Sequence, residues 1–173
     1  MKKKNYLKFI VGVLLIVFTI NVNAQSKNIV ETAASTKDFS TLVAAVQAAD
    51  LVEVLSSEGP FTVFAPTNDA FSKLPAGTLE SLLKPENKTN LQSILKYHVV
   101  SGSIMASDVV KLIKQNDGRA KVVTVSGDTL TAQMKDGAVY LVDENDKWSK
   151  ITATDLKTSN GIIHVIDSVV LPK

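Results

Sequence analysis

Residues 62–71 read TVFAPTNDAF, and this stretch decides the fold. Phe61, Val63 and Ala65 interleave with Thr62 and Phe64, the two-residue period of a strand entering a core. Pro66 closes it, since its ring holds the preceding residue extended. Thr67 then stands where a helix N-cap belongs. Its hydroxyl can accept from a backbone N–H two or three residues on, and Asp69 in the first turn meets the positive end of the helix dipole. Phe71 and Leu74 supply the buried side of that helix. The cluster Thr67-Asn68-Asp69 is therefore what a strand-to-helix corner needs, with no catalytic role required to account for it.

Working outward, Phe39, Leu42, Val43 and Val46 fall at helical spacing on one apolar face, and a short helix with Leu51, Val54 and Leu55 follows. Residues 56–60, SSEGP, break the pattern before the strand. Beyond the corner, helices are predicted over 78–83 and 89–97, parted by Pro85. Leu91, Ile94, Leu95 and His98 share one stripe of the second, so His98 is expected to be buried and hydrogen-bonded inside the domain. A helix over 107–113 comes next. From Lys121 the period changes to that of strands: Val123 and Val125, Leu130 and Ala132, Val139 and Leu141, then Ile151 and Ala153. Asp136-Gly137 is a type I′ hairpin signal. The final segment, residues 162–171, IIHVIDSVVL, is apolar on both faces and reads as a central strand. Helices first and antiparallel strands later, with no regular alternation and no internal repeat, indicate an α+β domain or a β-sandwich decorated by helices.

The first 24 residues read as a secretory signal peptide. Four lysines precede an apolar run from Phe9 to Ile20 that is too short to span a bilayer, and Val22-Asn23-Ala24 forms a cleavage pattern. Residues 25–173 then make one domain, with no retained membrane span. The chain has 19 basic and 17 acidic residues; four of the lysines belong to the leader and no acid does, so the remainder carries a net charge of −2. That balance offers no argument for nucleic acid, which wants a clustered basic face. The absence of cysteine rules out a lipoprotein anchor and leaves stability to packing.

Catalytic and metal constellations are poorly represented. There is no G-x-S-x-G elbow, and His164 and Asp167 are three apart on a strand, pointing to opposite faces. No cofactor or metal site is expected, although Asp143, Glu144 and Asp146 in one turn could hold calcium weakly, the alternative being a solvated loop. Asn87-Lys88-Thr89 matches a glycosylation sequon, but Thr89 is better explained as a helix cap. Trp148, the lone tryptophan, either stacks on a sugar or partner or packs over a sheet edge.

Three segments resemble the fasciclin domain family: residues 62–74 (TVFAPTNDAFSKL) its first conserved box, 96–100 (KYHVV) its Tyr-His pair, and 160–172 (NGIIHVIDSVVLP) its second box. The likeness runs over about residues 28–171. It implies a compact wedge-shaped β-sandwich of about seven strands with a helical layer, in secreted and surface proteins that mediate adhesion, with no catalytic activity. It also gives Thr67, Asn68, Asp69, His98, His164 and Asp167 places in structural motifs. Adhesion in animal members has been linked to the Tyr-His region, here Tyr97 and His98, and to a pair occupied here by Asp155-Leu156. No Glu-Pro precedes Asp155, so integrin recognition is not implied.

The expectation is an exported, non-enzymatic interaction module of bacterial type, in the periplasm or outside the cell. Its partner would be a protein or glycan at the cell surface, met near Tyr97, Asp155, Leu156 and Trp148. Tyr97 lies one position off the buried stripe and is expected at the rim; Leu156 is either an exposed contact or an inward-packed strand residue. The alternative is a small-ligand or glycan carrier, which needs an apolar cavity of roughly 300 Å³ or an exposed aromatic platform.

Overall fold

The computed structural model describes residues 26–173; the leader expected at 1–24 lies outside them. Helices α1 (Ile29–Ala34), α2 (Ser40–Ala48) and α3 (Val52–Ser56) precede strand β1 (Phe61–Pro66). After α4 (Asn68–Ser72), α5 (Thr78–Leu82) and α6 (Lys88–Tyr97) come β2 (Val99–Ser101) and α7 (Ala106–Gln115). The chain ends in β3 (Arg119–Val123), β4 (Thr129–Lys135), β5 (Ala138–Val142), β6 (Trp148–Thr158) and β7 (Gly161–Ile166). The seven strands run in the order β2-β1-β7-β6-β5-β4-β3. This is the expected α+β architecture.

Sidedness in β1 and β7 organises the two cores. Val63 and Ala65 of β1, with Ile163 and Val165 of β7, face the helices and pack against Ile29, Phe39, Leu42, Val46, Leu91 and Leu95. Phe64 and Ile166 face the other way, toward Ala120, Leu130, Ala132 and Leu141 of the distal strands, with Val109 and Ile113 of α7. Both faces of this strand pair are thus dry, which is why both read as apolar. The pair is parallel, Phe61 opposite Gly161 through Pro66 opposite Ile166, whereas the other pairings are antiparallel.

Strand β6 joins the two halves, pairing with β5 through Trp148, Ser149 and Lys150 and with β7 from Ile151 onward. Ile151 opposes Ile166, Ala153 opposes Val165 and Leu156 opposes Ile163, so each step inserts one extra residue in β6. Such bulges bend a strand, and here they let one strand serve both halves. At the far end the Val125 N–H reaches the Val99 carbonyl at 2.7 Å, so the loop after β3 approaches edge strand β2.

Three local outcomes differ from the sequence reading. Helix α1 is present, closed by reciprocal bonds between Asn28 and Glu31, a capping box that the later apolar stripe overshadowed. Val125 lies beyond the end of its strand. Val99 and Val100 form β2, too short to show a period.

Candidate functional site

The corner at residues 66–69 is built as its residues require. The Thr67 hydroxyl accepts from the Ala70 N–H at 3.2 Å, and Asp69 is exposed in the first turn. Asn68 goes further: its Oδ1 accepts from the Thr41 N–H at 2.9 Å while its Nδ2 donates to the Lys37 carbonyl at 3.0 Å, which fastens α4 to the start of α2.

His98 is buried at the C-terminus of α6. Its Nδ1 donates to the Ile94 carbonyl at 2.7 Å and its Nε2 accepts from the Val170 N–H at 3.3 Å, an arrangement that only the neutral Nδ1–H ring satisfies. Burial pulls its pKa down to about 4.

Tyr97 is a correction. It is fully buried, 0% exposed, with Phe64 and Ile166 in the core on the side of the distal strands. Its hydroxyl donates to the Thr129 carbonyl at 3.0 Å, and burial pushes its pKa up to about 12. The last turn of α6 is covered on both sides, by the helical core at Leu95 and by the distal strands at Tyr97, so lying off one stripe does not mean facing solvent. Tyr97 offers no ring to a partner.

His164 is also buried, stacked on Phe64 with ring centroids 5.7 Å apart. Its Nε2 donates to the Ile104 carbonyl at 2.9 Å and its Nδ1 accepts from the Asp155 N–H at 3.3 Å. The Ile104 N–H in turn donates to the Thr62 hydroxyl, which donates to the Gly102 carbonyl at 2.7 Å. Asp155 occupies the β6 bulge at φ 59°, and its carboxylate accepts from Ala106, the first N–H of α7, at 2.9 Å. One chain of hydrogen bonds therefore holds residues 102–106 against β1, β7 and β6. Asp155 and His164 are brought together; neither meets Tyr97 or His98.

Leu156, next along β6, is half-buried against the helical core, so its inward reading holds and its reading as an exposed contact is set aside. Asp167 and His164 do not pair. The Asp167 carboxylate accepts from the Lys150 N–H at 2.8 Å and faces Lys73 at 3.4 Å. Asp143, considered for calcium, accepts from the N–H groups of Asn145, Lys147 and Leu171 and is buried in that role.

Two cavities bear on ligand capacity. An apolar one between α1, α2 and β1, lined by Val30, Val43, Val63 and His98 among others, holds about 30 Å³. An open cleft of about 890 Å³ lies at the end of the sheet where β1 and β7 begin, lined by Ser57, Glu58, Pro60, Ser103, Met105 and Lys157. Trp148 is 43% exposed, edge-on to Tyr140 at 5.7 Å with the Lys135 ammonium 5.3 Å from its ring centre.

Comparison with known proteins agrees with this architecture. Protein sll1483 of Synechocystis sp. is 57% identical over 144 residues, spanning 83% of this chain and 73% of that protein. Immunogenic protein MPB70 of Mycobacterium bovis is 35% identical over 158 residues, 88% of this chain and 73% of its own. Human periostin is 34% identical over 140 residues, 78% of this chain but 15% of that protein. A solved FAS1 domain pair from the insect cell adhesion molecule fasciclin I superposes with a TM-score of 0.74 at 21% identity, over 85% of this chain and 51% of that one, a likeness of fold. The fasciclin domain model matches residues 37–172, and with these relatives it shows that the chain belongs to the fasciclin domain family.

Proposed function

We propose that the chain is an exported, non-enzymatic interaction module that binds a macromolecular partner at or beyond the cell envelope. One observation carries the reading: the side chains best suited to chemistry are already committed to the fold. His98, His164, Asp143 and Asp155 each bond to backbone groups, and both histidines are buried. A group that must hold the backbone in place is not free to exchange protons with a substrate. The apolar cavity of about 30 Å³ is far below the roughly 300 Å³ of an ordinary ligand pocket, which weighs against a carrier that encloses a small apolar ligand. The fold likeness to a cell adhesion molecule supports binding through the surface.

The test is attachment. Beads coated with the purified chain should adhere to intact cells or envelope material of the source organism, and uncoated beads should not. Absence of attachment, or turnover of a small substrate by the purified chain, overturns the reading. Export is checked by intact mass, expected to begin at Gln25.

A further inference from the structure

The distal half of the sheet presents one face to the core around Phe64, Tyr97 and Ile166 and turns the other outward, where Arg119, Lys121, Lys135, Trp148 and Lys150 are exposed. Ala120, Leu130, Ala132 and Leu141 point inward, so the residues between them point outward. Register then assembles two outward rows. Arg119, Gln133, Tyr140 and Lys150 lie side by side across four strands, and Lys121, Thr131, Val142 and Trp148 form the next row, in which Val142 is covered, at 7% exposure, while Lys121 and Trp148 are exposed at its ends. Lys135 and Ala138 extend the face at the hairpin. Four cations thus share one face, and no outward position in these rows carries an acid. The ion pairs among the described residues, Lys73 with Asp167 and Lys88 with Asp50, involve none of the four cations. The nearby acids Asp117, Asp136 and Asp146 lie in turns at the margin, Asp128 accepts from the Ser126 hydroxyl, and Asp167, which accepts from the Lys150 N–H, has its charge met by Lys73.

We propose that this outer face of β3 to β6 binds an acidic polysaccharide, with a sugar ring on Trp148 and its carboxylate or sulfate groups on Arg119, Lys121, Lys135 and Lys150. The proposal rests on the interaction-module reading and names its partner. Charge complementarity selects a polyanion, because a face with a formal charge of +4 stands on a domain whose overall balance is −2. Spacing selects a sparse one. Cations two residues apart on a strand are separated by roughly 7 Å and those at the ends of a row by about 14 Å, against one phosphate per 3.4 Å of each strand in a nucleic acid duplex. The aromatics point the same way. Tyr140 meets Trp148 edge-on at 65° and the Lys135 ammonium lies over the Trp148 ring, so the face holds one partly exposed aromatic beside a cation rather than the series of platforms on which successive bases stack.

The experiment passes the full purified chain, at about 0.15 M salt, over immobilised heparin, polygalacturonate, neutral dextran and a single-stranded oligonucleotide, and titrates it with anionic vesicles. Retention on heparin or polygalacturonate and not on dextran is expected, the two acidic arms separating sulfate from carboxylate preference. The variant Arg119→Gln/Lys150→Gln and the variant Trp148→Ala should each weaken retention about tenfold, with unchanged circular dichroism. Lys96→Gln/Lys111→Gln, which alters cations elsewhere, should not. Equal weakening by that control, no retention on either acidic polysaccharide, or tighter binding to the oligonucleotide or the vesicles would overturn the proposal. Adhesion that persists in the Arg119/Lys150 variant would sink this site while leaving the interaction-module reading standing.

Discussion

At the scale of single residues, the two most instructive side chains are neighbours with opposite surroundings. His98 is held as a neutral ring, with a folded pKa near 4 against an ordinary value of about 6.5. The unfolded chain therefore takes up a proton between those values that the folded one refuses. The stability this contributes is fully present above about pH 6.5 and is lost as pH falls toward 4, by about 1.4 kcal/mol per unit and on the order of 3 kcal/mol in all. Urea midpoints between pH 7.5 and 4 should drop accordingly, and His98→Gln should flatten that dependence by one proton. Tyr97, by contrast, fills core volume. Tyr97→Phe should cost about 1 kcal/mol through the lost bond to the Thr129 carbonyl, and Tyr97→Ala on the order of 3 to 5 kcal/mol as a cavity; calorimetry separates the two. Loss of adhesion in the alanine variant would therefore report unfolding rather than a contact.

At the scale of elements, β6 is the strand whose irregularities matter. Asp155 sits in its bulge with a positive φ that residues other than glycine, asparagine and aspartate tolerate poorly, and its carboxylate caps α7. Asp155→Ala loses the cap and keeps the strained backbone, so thermal denaturation should show a loss of about 2 kcal/mol. Asp155→Asn retains both an acceptor and tolerance of that backbone and should fall within about 0.5 kcal/mol of the parent. The start of β7 is constrained differently. A Cβ on Gly161 would lie 2.0 Å from the Phe61 carbonyl oxygen, so the parallel pairing of β1 with β7 needs glycine there. Gly161→Ala should destabilise by about 1 to 3 kcal/mol, read as a lower denaturation midpoint with unchanged slope; a neutral result would mean that β1 and β7 pair less closely than described.

At the scale of the whole molecule, the two cores share β1, β2 and β7, so neither can open without exposing the other's apolar surface. Unfolding should be two-state: Trp148 fluorescence, reporting the distal strands, and far-ultraviolet circular dichroism, reporting the helices, should give one urea midpoint. Separate midpoints would show that the halves are independent. Much of the fold could be read from the chain because its signals are local. The Thr67 cap, the Asp136-Gly137 hairpin and the Leu91, Ile94, Leu95 stripe are settled by groups within a few residues of one another. The residues of the candidate binding face were not legible as a group. Arg119, Lys121, Lys135 and Lys150 are scattered over three strands, and a one-residue change of register would turn a strand's side chains to the opposite face. Burial of Tyr97 depends likewise on a carbonyl 32 residues away, and the Asp155 cap on an N–H 49 residues away. The sequence by itself determined the corner, the helical stripe and the hairpin. Only the tertiary structure decided which strands lie side by side, and so which polar groups became scaffold and which cations became surface, because distant backbone groups must meet before any side chain acquires its neighbours.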